Sequence, residues 1–134
     1  KVGKAEVFRD GDDVAIIACG PLVYQSLVAA KELDKEGIKV TVVNNHTIKP
    51  IDEQTLTQVA KKCRAVVTVE EHQTMAGAGS AVAEVLARYQ PVPVEFVGMP
   101  NTFGESGAPS ELLEKYGMGV KDIKEAVKKV IKRK

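Results

Sequence analysis

Apolar residues along this chain follow two alternating patterns: short continuous runs and longer stretches with helical spacing. The continuous runs at 14–18 and 40–43 are typical of strands covered on both faces of a sheet. The stretch between them predicts an amphipathic helix, because its apolar residues recur every three or four positions: Val23, Leu27, Ala30 and Leu33. This alternation predicts right-handed crossovers and a mostly parallel sheet.

The first predicted strand, residues 4–9, differs from the others. The turn at 10–13 that follows it is rich in Asp and Gly and is too short for a crossover, so this strand should be antiparallel. Further strands are predicted at 65–69 and 94–97, and two helices close the chain near 109–116 and 120–133. The expected fold is one α/β domain over residues 1–134, a three-layer α/β/α sandwich with a mixed five-stranded sheet.

Charge and composition limit the classes of binding partner that we expect for this chain. The 19 basic and 18 acidic residues nearly cancel, which gives no electrostatic reason to expect nucleic acid. No apolar run is long enough for a membrane span, so no membrane partner is expected. Cys19 and Cys63 lack a CxxC spacing and are interpreted as buried thiols in a reducing compartment. We therefore expect a cytoplasmic protein.

Candidate chemistry concentrates just after the strand at 65–69, where open α/β sheets place functional groups. Glu71 and His72 are one candidate acid/base pair. Gly77, Gly79 and Ser80 stand at a predicted helix start, whose free N–H groups favour a phosphate. Two acidic residues before these glycines oppose phosphate binding, and the spacing departs from a dinucleotide fingerprint. The alternative is that this loop makes polar contacts with another domain.

No other motif offers a nucleophile or a metal site. The segment 104–107, Gly-Glu-Ser-Gly, lacks the strand–turn–helix frame and the spacing of a nucleophile elbow. His46 has no acidic or cysteine neighbour. Apart from the alternative in which Glu71 and His72 act as an acid/base pair, the sequence therefore offers no catalytic residue, and it predicts no metal ligand.

Four segments resemble the transketolase C-terminal domain. They are TIKPID at 47–52, VTVEEH at 67–72, GAGSAVAE at 77–84 and FGESG at 103–107. They occur in the order of that family, as does YG at 116–117 followed by DI at 122–123, and the resemblance extends over nearly the whole chain. The resemblance implies a domain of a thiamine-diphosphate enzyme that transfers a two-carbon ketol unit between sugar phosphates in the pentose phosphate pathway.

In that family, other domains bind thiamine diphosphate and magnesium, and the magnesium motif GDG is not present at residues 9–12. The resemblance therefore implies a dimer-organising domain or small subunit that binds no cofactor and catalyses nothing alone. Its partners would be the other transketolase domains or an N-terminal subunit, in a homodimer or heterotetramer. Glu71, His72, Gly77, Gly79 and Ser80 would form an interface loop near the active site.

Two alternatives stay open. Sister families share this domain, namely the E1 β subunit of 2-oxo-acid dehydrogenases and deoxyxylulose-phosphate synthase. A free-standing regulatory or nucleotide-binding α/β module is the other alternative, and it predicts tight nucleotide binding by the chain alone.

Overall fold

The computed structural model describes residues 5–19, 22–45, 51–71, 77–99 and 119–134. These residues contain five strands, β1 (Glu6–Arg9), β2 (Val14–Ala18), β3 (Val40–Asn44), β4 (Val66–Glu71) and β5 (Val94–Met99). They also contain four helices, α1 (Leu22–Lys35), α2 (Glu53–Cys63), α3 (Ala78–Tyr89) and α4 (Val120–Ile131). The helix predicted at 109–116 lies outside the described residues. No described helix has the length and hydropathy to cross a bilayer.

The five strands form one mixed sheet in the order β1-β3-β2-β4-β5. Strands β2, β3, β4 and β5 are parallel to one another, and β1 is antiparallel to β3. The predicted mixed sheet with an antiparallel first strand is therefore confirmed.

The turn after β1 does not, however, place β1 beside β2. Gly11 and Thr41 of β3 bond reciprocally: the Gly11 N–H donates to Thr41 Oγ1 at 2.9 Å, and that hydroxyl donates to the Gly11 carbonyl at 2.5 Å. The Asp13 N–H then donates to the Lys39 carbonyl at 2.9 Å. Residues 10–13 thus cross the start of β3. Strand β3 therefore lies beside β1, in the position that β2 would occupy in a hairpin.

Two helices cover each face of the sheet. On one face, α1 and α4 enclose a core that includes Ile16, Val42 and Val67, all fully buried. On the other face, α2 and α3 pack on a second core that includes Ile17 and Leu86. The predicted three-layer α/β/α sandwich is confirmed.

Local chemistry fixes the helix ends. Asp52 caps α2, because its Oδ1 accepts from the Thr55 N–H at 3.1 Å. Its Oδ2 accepts from the Ala5 N–H at 3.0 Å, so the same carboxylate holds the entry to β1. Gly37 follows α1 with φ +86°, the left-handed conformation that glycine adopts without strain.

The lysine-rich helix α4 pairs with acidic residues of α1. Lys124 Nζ lies 3.1 Å from Glu32 Oε1 and 3.0 Å from Glu36 Oε2, and Lys128 Nζ lies 2.7 Å from Glu36 Oε1. The hydrogen bonds from Lys128 and Lys124 lower the pKa of Glu36. These lysines are therefore partly neutralised within the fold, and they do not form an unopposed basic patch.

Candidate functional site

The candidate site lies at the carboxyl ends of the parallel strands. The chain passes from β2 to β3 on one side of β2 and then returns to β4 on its other side. The strand order therefore reverses between β2 and β4, the place where open α/β sheets bind their ligands. Cys19 follows β2 at this point, and Glu70 lies near the end of β4.

Glu70 closes the N-terminus of α3. Its Oε1 accepts from the Gly77 N–H at 3.2 Å, and its Oε2 accepts from the Gly79 N–H at 2.5 Å. Gly77 is the N-cap of α3 and has φ +93°, a conformation that favours glycine. A carboxylate from the preceding strand thus satisfies two N–H groups at the positive end of the helix.

This arrangement bears directly on the phosphate interpretation of Gly77 and Gly79. A phosphate at this helix start would have to displace a carboxylate of the chain itself, which already occupies the N–H groups. The described residues therefore do not fit the diphosphate of thiamine diphosphate here. Among the same residues no group of three His, Cys, Asp or Glu side chains converges on a metal position.

Gly79 also permits a close approach between α3 and β4. A methyl group added at this residue would lie 2.7 Å from Glu70 Oε2, 2.8 Å from Thr68 Oγ1 and 3.0 Å from a ring carbon of Phe96. Real Cβ atoms essentially never show contacts under 3.0 Å, and the first two of these distances are that short. The glycine is therefore required by packing, in addition to its amide donor.

The structure brings some of the predicted site residues together. Gly77, Gly79 and the exposed Ser80 form the start of α3, as expected. Glu71 is the last residue of β4, and only its backbone is described. His72 lies outside the described residues. Their role as an interface loop stays a prediction.

Cys19 is a buried thiol with a polar partner. Its Sγ donates to the Asn45 carbonyl at 3.2 Å. Burial, and secondarily the negative charge of Glu70, raises the pKa of Cys19 to about 11. Because the thiolate is the nucleophilic form, this cysteine is inert at neutral pH.

Three buried polar atoms near this edge lack a hydrogen-bond partner: Asn44 Oδ1, Asn45 Nδ2 and Thr68 Oγ1. They are the full set of such side-chain atoms among the described residues. Asn44 ends β3 and Asn45 follows it, while Thr68 lies in β4 two residues before Glu70. Buried polar groups normally have a partner or a bound water, so these two oxygens and one amide nitrogen keep unused hydrogen-bonding capacity inside the fold.

Comparison with known proteins identifies the family. The sequence model described as "Transketolase, C-terminal domain" matches residues 3–123. The chain belongs to the transketolase C-terminal domain family. The residues that carried the resemblance at 47–52, 67–72, 77–84 and 103–107 all fall within the matched range.

Two curated relatives of this transketolase C-terminal domain differ in activity. The chain is 44% identical over 133 residues to 6-deoxy-6-sulfo-D-fructose transketolase subunit SqwH from Clostridium sp., covering 99% of this chain and 41% of the relative. It is 41% identical over 128 residues to 1-deoxy-D-xylulose-5-phosphate synthase from Trichormus variabilis, covering 95% of this chain and 20% of the relative. The chain thus spans less than half of each.

Solved structures agree with this assignment. The structure of a split gene transketolase, an inactive beta4 tetramer, superimposes with a TM-score of 0.85 at 44% identity, covering 98% of this chain and 42% of that one. A Pichia stipitis transketolase with sedoheptulose 7-phosphate gives a TM-score of 0.67 at 20% identity, covering 98% of this chain and 18% of that one. The second likeness establishes the fold alone.

Proposed function

We propose that residues 1–134 form the C-terminal domain, or the matching part of a small subunit, of a thiamine-diphosphate-dependent transketolase. That enzyme transfers a two-carbon ketol unit between sugar phosphates. The observation that carries the proposal is the 44% identity across 99% of the chain to a transketolase subunit, of which the chain accounts for 41%. The rest of such a subunit would then supply what this domain lacks.

Within this enzyme the domain organises the dimer and does not catalyse the reaction. Its α3 N-terminus is closed by Glu70, and its Cys19 thiol is protonated, so neither group is available for the reaction. The related tetramer that contains only β chains is described as inactive, which supports a requirement for a second kind of chain. The partners are other transketolase domains or an N-terminal subunit, in a homodimer or heterotetramer. The enzyme is expected in the cytoplasm.

The polar strand ends suit contact with a neighbouring domain. Glu71 ends β4 at the carboxyl edge of the sheet, where open α/β sheets present their functional groups. We place Glu71 and His72 in that contact, near the active site but outside the chemistry. In the assembled enzyme, His72→Ala should lower activity modestly by weakening positioning or subunit affinity.

The His72 test is rate against enzyme concentration for His72→Ala and for the control Gln90→Ala, at the opposite end of α3. A loss that disappears at high concentration supports an interface role. A large fall in turnover at saturating concentration, with assembly unchanged, would show that His72 is catalytic.

Deoxyxylulose-phosphate synthase is the second candidate, because a relative with that activity is 41% identical over nearly the same span. Product analysis of the assembled enzyme separates the two. A transketolase exchanges two-carbon units between sugar phosphates, whereas the alternative forms 1-deoxy-D-xylulose 5-phosphate. Detection of that product, without ketol exchange, would overturn the transketolase assignment.

A further inference from the structure

Strand β5 is an edge strand of the described sheet, and half of its backbone groups face away from β4. The Val66 N–H of β4 donates to the carbonyl of Pro93, the residue before β5, at 3.0 Å. Peptide groups alternate in direction along a strand, so the N–H and C=O groups of Val94 and Phe96 face the outer side of β5.

The sequence of β5 favours pairing with a further strand at this outer side. Residues 94–97 are Val-Glu-Phe-Val, mostly β-branched and aromatic types that favour strands, and Phe96 is 55% exposed. The register with β4 runs without a break over all six residues of β5. At the opposite edge, by contrast, the register of β1 shifts after Val7, and such a bulge discourages pairing. The β5 edge therefore needs another form of protection.

Arg133 lies across this outer side. It follows the end of α4 by two residues, and its own N–H donates to the Val130 carbonyl at 3.0 Å. Its Nη1 donates to the outward Val94 carbonyl at 2.9 Å and to Glu95 Oε2 at 2.7 Å. Glu95 Oε1 also lies 3.6 Å from Lys129 Nζ, and the Glu95 side chain is only 18% exposed. The guanidinium is thus held at the edge by a partly shielded carboxylate.

We propose that Arg133 blocks the β5 edge against pairing with β5 of a second copy of this chain. A second copy is the partner to exclude, because two β5 strands related by a two-fold axis present the same edge to each other. Such pairing needs the Val94 carbonyl and the space beside it, so it would break charge-assisted hydrogen bonds in both copies. It would also bring two guanidinium groups together. This role is independent of which enzyme the domain belongs to.

The first test is sedimentation equilibrium of the 134-residue chain. Arg133→Ala should tighten self-association by roughly ten-fold or more, because an incoming strand no longer has to displace the guanidinium. Arg88→Ala is the charge-matched control, since Arg88 forms an exposed ion pair with Glu84 on α3 and lies outside β5. It should leave self-association at the wild-type level.

Amide hydrogen exchange locates the contact. The Phe96 N–H faces the outer side of β5, so its exchange should slow as the concentration of Arg133→Ala rises, and it should not depend on concentration in the wild type. Adding Phe96→Lys to Arg133→Ala should return self-association to the wild-type level, because a lysine on an edge strand opposes pairing.

Three results would overturn the proposal. The first is an Arg133→Ala protein that associates no more tightly than Arg88→Ala. The second is an Arg133→Ala dimer in which the Phe96 amide exchanges as fast as in the monomer. The third is a wild-type chain whose Phe96 amide is already protected in a concentration-dependent way, and this measurement does not depend on the folding of any variant.

Discussion

Replacing Gly79 by alanine is the sharpest local test of the site geometry. In a helix this change ordinarily stabilises by up to about 1 kcal/mol, because alanine restricts the unfolded chain and favours the helix. Here the new methyl group would lie under 3 Å from Glu70 Oε2 and from Thr68 Oγ1. Glu70 can swing away, but Thr68 is a buried β-branched residue of β4 and cannot.

Taken together, these effects should lower the stability of the folded protein. Displacing Glu70 weakens two hydrogen bonds to a carboxylate, each worth about 1.5–3 kcal/mol when buried and less at this partly exposed position. Moving the first turn of α3 away from Thr68 adds a packing cost of about 1–3 kcal/mol. After the alanine gain is subtracted, we expect Gly79→Ala to lower the free energy of unfolding by about 1–3 kcal/mol.

Urea unfolding followed by circular dichroism measures this change. Ser80→Ala is the matched control, because Ser80 is exposed in the same turn and should shift stability by less than about 0.5 kcal/mol. In a Glu70→Ala background the cost of Gly79→Ala should shrink, since part of the clash is gone. A Gly79→Ala protein as stable as wild type, or more stable, would refute the packing argument.

Two further changes test the fold through other groups. Asp52→Ala should lower the free energy of unfolding in urea by about 2 kcal/mol, because it removes the cap on α2 and the acceptor for the Ala5 N–H. Asp52→Asn should lower it by less, and equal losses in the two variants would contradict the capping role. Cys19 has its pKa raised from 9.0 to about 11, so folding keeps its proton while the unfolded chain releases it. Stability should therefore fall between pH 9 and about 11 by up to about 1.4 kcal/mol per pH unit, and this component should be absent in Cys19→Ala. Identical pH profiles for the two proteins would contradict the burial of that thiol.

Local patterns were sufficient to predict much of the fold. Continuous apolar runs predicted β2 and β3 because both faces of these strands are covered, which leaves no polar alternation. The cap at Asp52 and the glycine after α1 at Gly37 follow from chemistry within a few residues of each helix end. The antiparallel direction of β1 followed from the length of one turn.

Contacts between residues far apart in the sequence could not be predicted from local patterns. The position of β1 beside β3 depends on the bonds between Gly11 and Thr41, which are 30 residues apart. The role of Glu70 as the cap of α3 requires the strand end and the helix start to meet in space. The only sequence signal for this contact was that Glu70 precedes Gly77 by seven residues and Gly79 by nine. From the sequence we inferred only that this carboxylate would repel a phosphate.

Calorimetric titration with thiamine diphosphate and Mg²⁺ tests whether this domain binds the cofactor without the rest of its enzyme. It is carried out on the 134-residue chain and on the assembled enzyme. We expect no micromolar binding to the 134-residue chain, where Glu70 already occupies the α3 N-terminus, and tight binding to the assembled enzyme. Micromolar binding to the 134-residue chain alone would contradict it.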